Sequence, residues 1–160
     1  MVISLVGCSP PTTSSERAGN ESTRLSPATV LAGIRAPQLF DVKATVERTL
    51  GYEIPEPDQR YPRIGKFVVR SGPGALSSEA KYRFADGHVA TVVVREGVAP
   101  DQVTGEQVNI GGVAGVSAGD KWSFRFTLQA RTGYLNCLVY AVAEVDEEDF
   151  ARFVASLALN

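Results

Sequence analysis

Histidine and cysteine are almost missing from this chain of 160 residues: His88 stands alone, and the only cysteines are Cys8 and Cys137. A tetrahedral zinc centre needs three or four such ligands close together, so this inventory all but excludes a His/Cys zinc site, and no cofactor is expected. A Ser-His-Asp triad would have to pass through His88. An excess of charge of one sign is missing too, with 16 Lys and Arg against 18 Asp and Glu and a formal net charge of -2. Without a bulk positive field, no nucleic-acid partner is expected. Long apolar runs are also lacking, and none approaches the roughly 20 residues of a membrane-spanning helix. What is present is globular in balance: 44% hydrophobic and 21% charged residues argue against wholesale disorder. The length suits one domain.

The first eight residues read Met-Val-Ile-Ser-Leu-Val-Gly-Cys. Leu5-Val6-Gly7-Cys8 resembles the bacterial lipobox, in which an aliphatic residue and small residues precede the cysteine that receives lipid. The resemblance implies lipidation at Cys8 and a place on the extracytoplasmic or periplasmic side of the bacterial cell envelope. Residues 9–25 suit the part of a tether, because Ser9 to Ser15 is polar, proline-containing and poor in apolar groups. Residues 1–8 are short for a secretory signal and carry no Lys or Arg. Two readings follow: a signal whose start lies upstream of Met1, or a chance cysteine at a frayed terminus. If Cys8 carries lipid, Cys137 has no intramolecular disulfide partner.

Residues 26–160 are expected to form a single α+β domain: an antiparallel sheet of hairpins, an N-terminal helical segment and a C-terminal helix packed on one face. Ser26-Pro27 suits a helix start for residues 28–34. Asp41 is placed to cap a second helix, with Val42, Val46 and Leu50 on one face and Gly51 at its end. Pro55, Pro57 and Pro62 make residues 52–63 an irregular connection. Lys66 to Arg70 reads as a strand and Ser71 to Ser78 as a loop. Asp86-Gly87 between two β-rich runs predicts a two-residue type I′ hairpin. That turn would set Ala85 opposite His88, Phe84 opposite Val89 and Tyr82 opposite Thr91. Residues 108–116 suggest a second hairpin, and Trp122, Phe124, Phe126 and Leu128 alternate on one strand face. Tyr134 to Ala143 is apolar on both faces, as in a central strand covered on both sides. The last helix is the best specified. Asp146 is its N-cap, Glu147, Glu148 and Asp149 fill the first turn, and Phe150, Phe153, Val154 and Leu157 form a stripe.

Chemistry is sparse. His88 falls at the tip of the first hairpin, away from any obvious nucleophile. Cys137 lies within the most apolar strand, where a thiol is inert. Gly111-Gly112-Val113-Ala114-Gly115 is glycine-rich but leads into more β structure instead of opening a helix, so it reads as a turn and not a phosphate loop. The acidic run at residues 146–149 has neither the pattern nor the glycine of a calcium loop. Aromatic residues remain, and Tyr52, Tyr61, Trp122, Tyr134 and Tyr140 are candidates to contact a ligand or partner.

From Val108 onward the order of features resembles the extracytoplasmic domain of bacterial anti-sigma factors and related envelope lipoproteins. The residues that carry the likeness are Val108-Asn109-Ile110-Gly111-Gly112 with Gly115, Trp122, Gly133, the apolar strand from Leu135 to Val142, the acidic helix start and Ala155-Ser156-Leu157. Neither the sigma-binding helical domain nor the transmembrane helix of those proteins is present in these residues. The resemblance therefore implies the envelope-side module alone. Val46 to Gly51 followed by Lys81 to Val94 is also loosely similar to small envelope lipoproteins of the BamE-like group. The functional expectation is a lipid-anchored envelope protein with a non-catalytic binding or regulatory domain. Its partners would be the membrane, through the N-terminal lipid, and an envelope protein. The alternative is a small hydrolase whose carboxylate or Ser residues are assembled by the fold, with paired carboxylates about 5 to 10 Å apart in a cleft.

Overall fold

A computed structural model of the chain describes residues 36–72 and 74–159. The lipobox with Cys8, the tether and the helix expected over residues 28–34 lie outside the described residues.

The domain is α+β, and its described residues form one eight-stranded antiparallel sheet and two α-helices. The chain runs through β1 (Gln38–Phe40), α1 (Lys43–Leu50), β2 (Arg63–Gly72), β3 (Ala75–Arg83) and β4 (Val89–Gly97). It continues through β5 (Gln107–Ile110), β6 (Val113–Ser117), β7 (Ser123–Gln129), β8 (Tyr134–Ala141) and α2 (Glu147–Leu159). The order across the sheet is β1-β2-β3-β4-β8-β7-β6-β5. Two four-stranded meanders therefore meet at a β4–β8 seam, where Val92 faces Val139 and Val94 faces Cys137. Closing that seam requires the β4–β5 connection, with its 3-10 turn at Pro100–Gln102, to travel from the centre of the sheet to its far edge.

Both helices pack on the same face. Val46 and Leu50 of α1 and Phe150, Phe153, Val154 and Leu157 of α2 belong to one buried cluster with the inward residues of β2, β3, β4, β7 and β8. The α2 stripe sits at the expected i, i+3, i+4, i+7 positions. Asp146 caps the helix as expected, its carboxylate accepting from the Asp149 N–H at 2.9 Å. Phe153 stands at the centre of an aromatic group, with the rings of Tyr61, Tyr82 and Phe84 at 5.0, 5.8 and 5.2 Å.

The first hairpin differs from expectation by one residue. Arg83 faces Val89 and Tyr82 faces Ala90. Phe84 donates its N–H to the His88 carbonyl, and its own carbonyl accepts from Gly87. The loop thus has three residues, Ala85, Asp86 and Gly87. A type I′ turn needs positive φ at both central positions, and here only Gly87 has it (φ 91°). Asp86 instead accepts the His88 N–H at 2.9 Å. Because strand faces alternate, the one-residue change puts Ala90, Val92 and Val94 in the core beside Tyr82 and Phe84, in place of Val89, Thr91 and Val93.

Other departures have local causes. Asp41 does not cap α1: Val42 occupies the N-cap position, with no side-chain bond and 59% exposure. Asp41 pairs with Lys66 at 3.1 Å instead, because β1 and β2 bring those residues together. The expected loop at residues 71–78 is mostly strand, since β2 and β3 pair as far as Gly72 and Ala75. Strand β8 is central, but among the described residues no helix covers its second face, where Asn136, Leu138 and Tyr140 are half-buried. Strand β1 has three residues, too short for a periodic sequence signal.

Candidate functional site

The five aromatic candidates do not converge. Tyr61 is in the core, its hydroxyl donating to the Asp149 carboxylate at 2.8 Å. Burial, and then the hydrogen bond and negative charge of Asp149, push its phenol up to about 12. Tyr52 reaches the sheet from the end of α1, with its hydroxyl 3.3 Å from the carbonyls of Leu76 and Val94. Its phenol is raised mainly by burial. Trp122 packs edge-on against Phe150, ring centres 5.6 Å apart, and Lys121 Nζ lies over its ring at 4.8 Å. These three belong to the helix-covered side. Tyr134 and Tyr140 lie on the opposite face of β8, six residues apart, which is roughly 20 Å along a strand.

The remaining sequence candidates are accounted for by structure. Cys137 is fully buried and its thiol is pushed up to about 12 by burial, which keeps it protonated and unreactive. His88 and Asp86 pair at the hairpin tip, Nδ1 to Oδ2 at 2.9 Å, both largely exposed. Glu56 pairs with Lys43 at 3.8 Å, and Asp58 with Arg60 at 3.3 Å. Hydrogen bonds from Arg60 hold Asp58 below the usual carboxylate range, the reverse of what a general acid needs. Among the described residues no three His, Cys, Asp or Glu side chains gather as a metal requires.

The site that the fold does build lies where β6 leaves β7. These strands pair only at Val116–Arg125 and Ser117–Phe124. Beyond Arg125, β7 is paired with β8 alone; before Val116, β6 is paired with β5 alone. Two small-residue contacts explain the divergence. A Cβ on Gly115 would collide with the Phe124 ring and the Arg125 carbonyl, so only glycine lets the strands meet at the apex. At the hairpin tip, a Cβ on Gly111 would collide with the Ala151 carbonyl, so the tip rests directly on α2. The β5–β6 hairpin therefore follows the helix instead of β7, and a wedge opens between them.

The wedge is an open cavity of about 490 Å³, within the ordinary range for small-molecule sites. Val113, Val116, Phe126, Leu128, Ala158 and Leu159 supply an apolar lining. Gln107, Arg125 and Thr127 supply the polar groups, and among the described residues no Asp or Glu lines it. Val116 is buried, but on the sheet face away from the helices, under the β4–β5 connection, whose Gly105 touches it. No ion pair engages Arg125 among the described residues. The arrangement offers an apolar slot, one guanidinium and the backbone edges of two unpaired strand segments. It can hold a ligand, and it presents no acid–base pair.

Sequence reasoning read Gly111 to Gly115 as a turn and alternation in β7 as a core face; the turn is Gly111-Gly112 alone, with Val113 to Gly115 already in β6, and the core face holds. That the two segments part company is a tertiary fact, and the sequence signal for it is Gly115 within the strand Val113–Ser117. The chain matches no family model, and no curated protein or solved structure is significantly similar to it.

Proposed function

We propose that this chain is a lipid-anchored protein of the bacterial cell envelope whose α+β domain is a non-catalytic binding module, with the β6/β7 wedge as its ligand site. The anchored reading rests on Leu5-Val6-Gly7-Cys8 and the polar, proline-containing stretch after it. The binding reading is carried by the wedge itself, an apolar cavity with a single unpaired cation at its apex. Buried apolar surface supplies affinity for an extended apolar chain, and Arg125 would orient one anionic group by a charge-assisted bond.

Two experiments test the two parts. In membranes washed with 500 mM salt, which releases protein held by charge alone, Cys8→Ala is expected to move the protein from the membrane fraction to the soluble fraction. Unchanged fractionation, with no lipid mass on the N-terminal peptide, removes the anchored reading. For the wedge, calorimetric titration of the Cys8→Ala protein with a medium-chain fatty acid is expected to show one site. Arg125→Gln should weaken it roughly 10- to 150-fold, because a charged hydrogen bond contributes about 1.5 to 3 kcal/mol. Leu128→Trp should fill the slot and abolish binding. Equal affinity in all three proteins would sink the wedge as the site.

A further inference from the structure

The sheet face opposite the helices carries a charge pattern that the whole-chain balance conceals. Cross-strand register places Glu79, Val93, Leu138 and Arg125 in one row on that face. Arg70, Ser77, Arg95 and Asn136 form the next row, and Lys81, Thr91 and Tyr140 a third. Arg83 lies beyond them, beside Val89. The strands thus present Arg70, Lys81, Arg83, Arg95 and Arg125 there, against the acid Glu79, while Lys66 and Asp41 offset each other as a pair at the β1 edge, in a chain of net charge -2. Glu79 pairs with Arg70 at 3.5 Å. Among the described residues no ion pair engages the other four. Half-buried Val68, Val93 and Leu138 run between these cations. Leu39, paired in register with Val68, is 62% exposed at the β1 edge of the same face. The acid Asp101 lies on the β4–β5 connection, toward the wedge end of this face.

We infer that this face docks on an anionic phospholipid surface. Charge complementarity calls for an anionic partner, and long Arg and Lys side chains can lay their stems over the apolar row while their heads meet phosphates. The described chain enters at β1, on the sheet edge that bears Leu39, which borders this face. The 27 residues from Ser9 to Arg35 can span at most about 90 Å, ample for the face to reach the bilayer that holds the lipid. The inference rests on the anchored reading only for this proximity.

The test therefore uses the full chain with Cys8→Ala, which has no lipid and whose behaviour is independent of whether the natural protein is acylated. Co-sedimentation is measured with vesicles of phosphatidylcholine alone and with vesicles containing phosphatidylglycerol. Binding is expected only to the anionic vesicles and should fade as salt is raised from 50 to 500 mM. Lys81→Gln with Arg95→Gln, both exposed and outside the wedge, should weaken it about 25-fold. A charge-matched control, Arg60→Gln with Lys121→Gln on the helix side, should bind as the parent does. Equal binding to neutral vesicles, no binding at all, or equal loss in the control would overturn the inference. So would tighter, Lys81- and Arg95-dependent binding to polyglutamate than to vesicles, which would assign the face to an acidic protein instead.

Discussion

Tyr61 shows how one side chain can join segments far apart in the chain. It comes from the proline-marked connection before β2, is 3% exposed, and binds Asp149 in the first turn of α2. Its phenol is raised to about 12, by burial first and by the Asp149 bond and charge next. The sign of the linkage follows. The folded state holds this proton more tightly than the unfolded chain, whose phenol titrates near 10. The stabilisation is fully present below pH 10 and is lost as pH rises from 10 towards 12. Tyr61→Phe is expected to cost about 1 kcal/mol at pH 7 through the lost hydrogen bond. It should also flatten the fall in stability above pH 10 when urea midpoints are compared across that range. A parallel fall in both proteins would show that Tyr61 does not carry this dependence.

At the scale of elements, the two helices contrast in how far their own residues define them. Helix α2 has its N-cap, three acidic residues facing the positive end of its dipole and a complete apolar stripe. Helix α1 has eight residues, no side-chain cap and only Val46 and Leu50 buried, so the sheet beneath it supplies most of its support. Replacing Asp146→Ala should therefore destabilise the domain by about 1 kcal/mol, read from denaturant unfolding, while replacing Asp41→Ala should change little. A larger loss from Asp41→Ala would contradict the finding that Asp41 serves only an exposed pair with Lys66. The first hairpin carries the same lesson about local signals: Asp-Gly marked the turn correctly, but φ at Asp86 selected the three-residue loop and with it the buried face.

At the scale of the whole molecule, the two faces of the sheet differ in what they carry. The helix-covered face holds one continuous core from Val46 to Leu157, spanning both meanders. A single core joined across the β4–β8 seam should unfold as one unit. Trp122 fluorescence, which reports packing against Phe150, and far-UV circular dichroism are expected to give coincident urea transitions. Two separated transitions would mean that the meanders are independent. The other face is free to carry charge, and the wedge forms where the sheet stops being continuous.

The residues by themselves specified the fold class, the position of α2 with its cap and stripe, the buried state of Cys137 and the strands with clean alternation. All of these depend on neighbours within a few positions, where periodicity and dipole effects act. The tertiary structure decided the hairpin register, the pairing of β4 with β8 and the scattering of the five aromatic candidates. It also decided the two features on which function is proposed, the wedge and the basic face. Each depends on residues brought together across strands, and no periodicity along one segment encodes which face of a distant strand its neighbour will share. The scarcity of histidine and cysteine narrowed the chemistry; the placement of Arg125 and Gly115 located the proposed site.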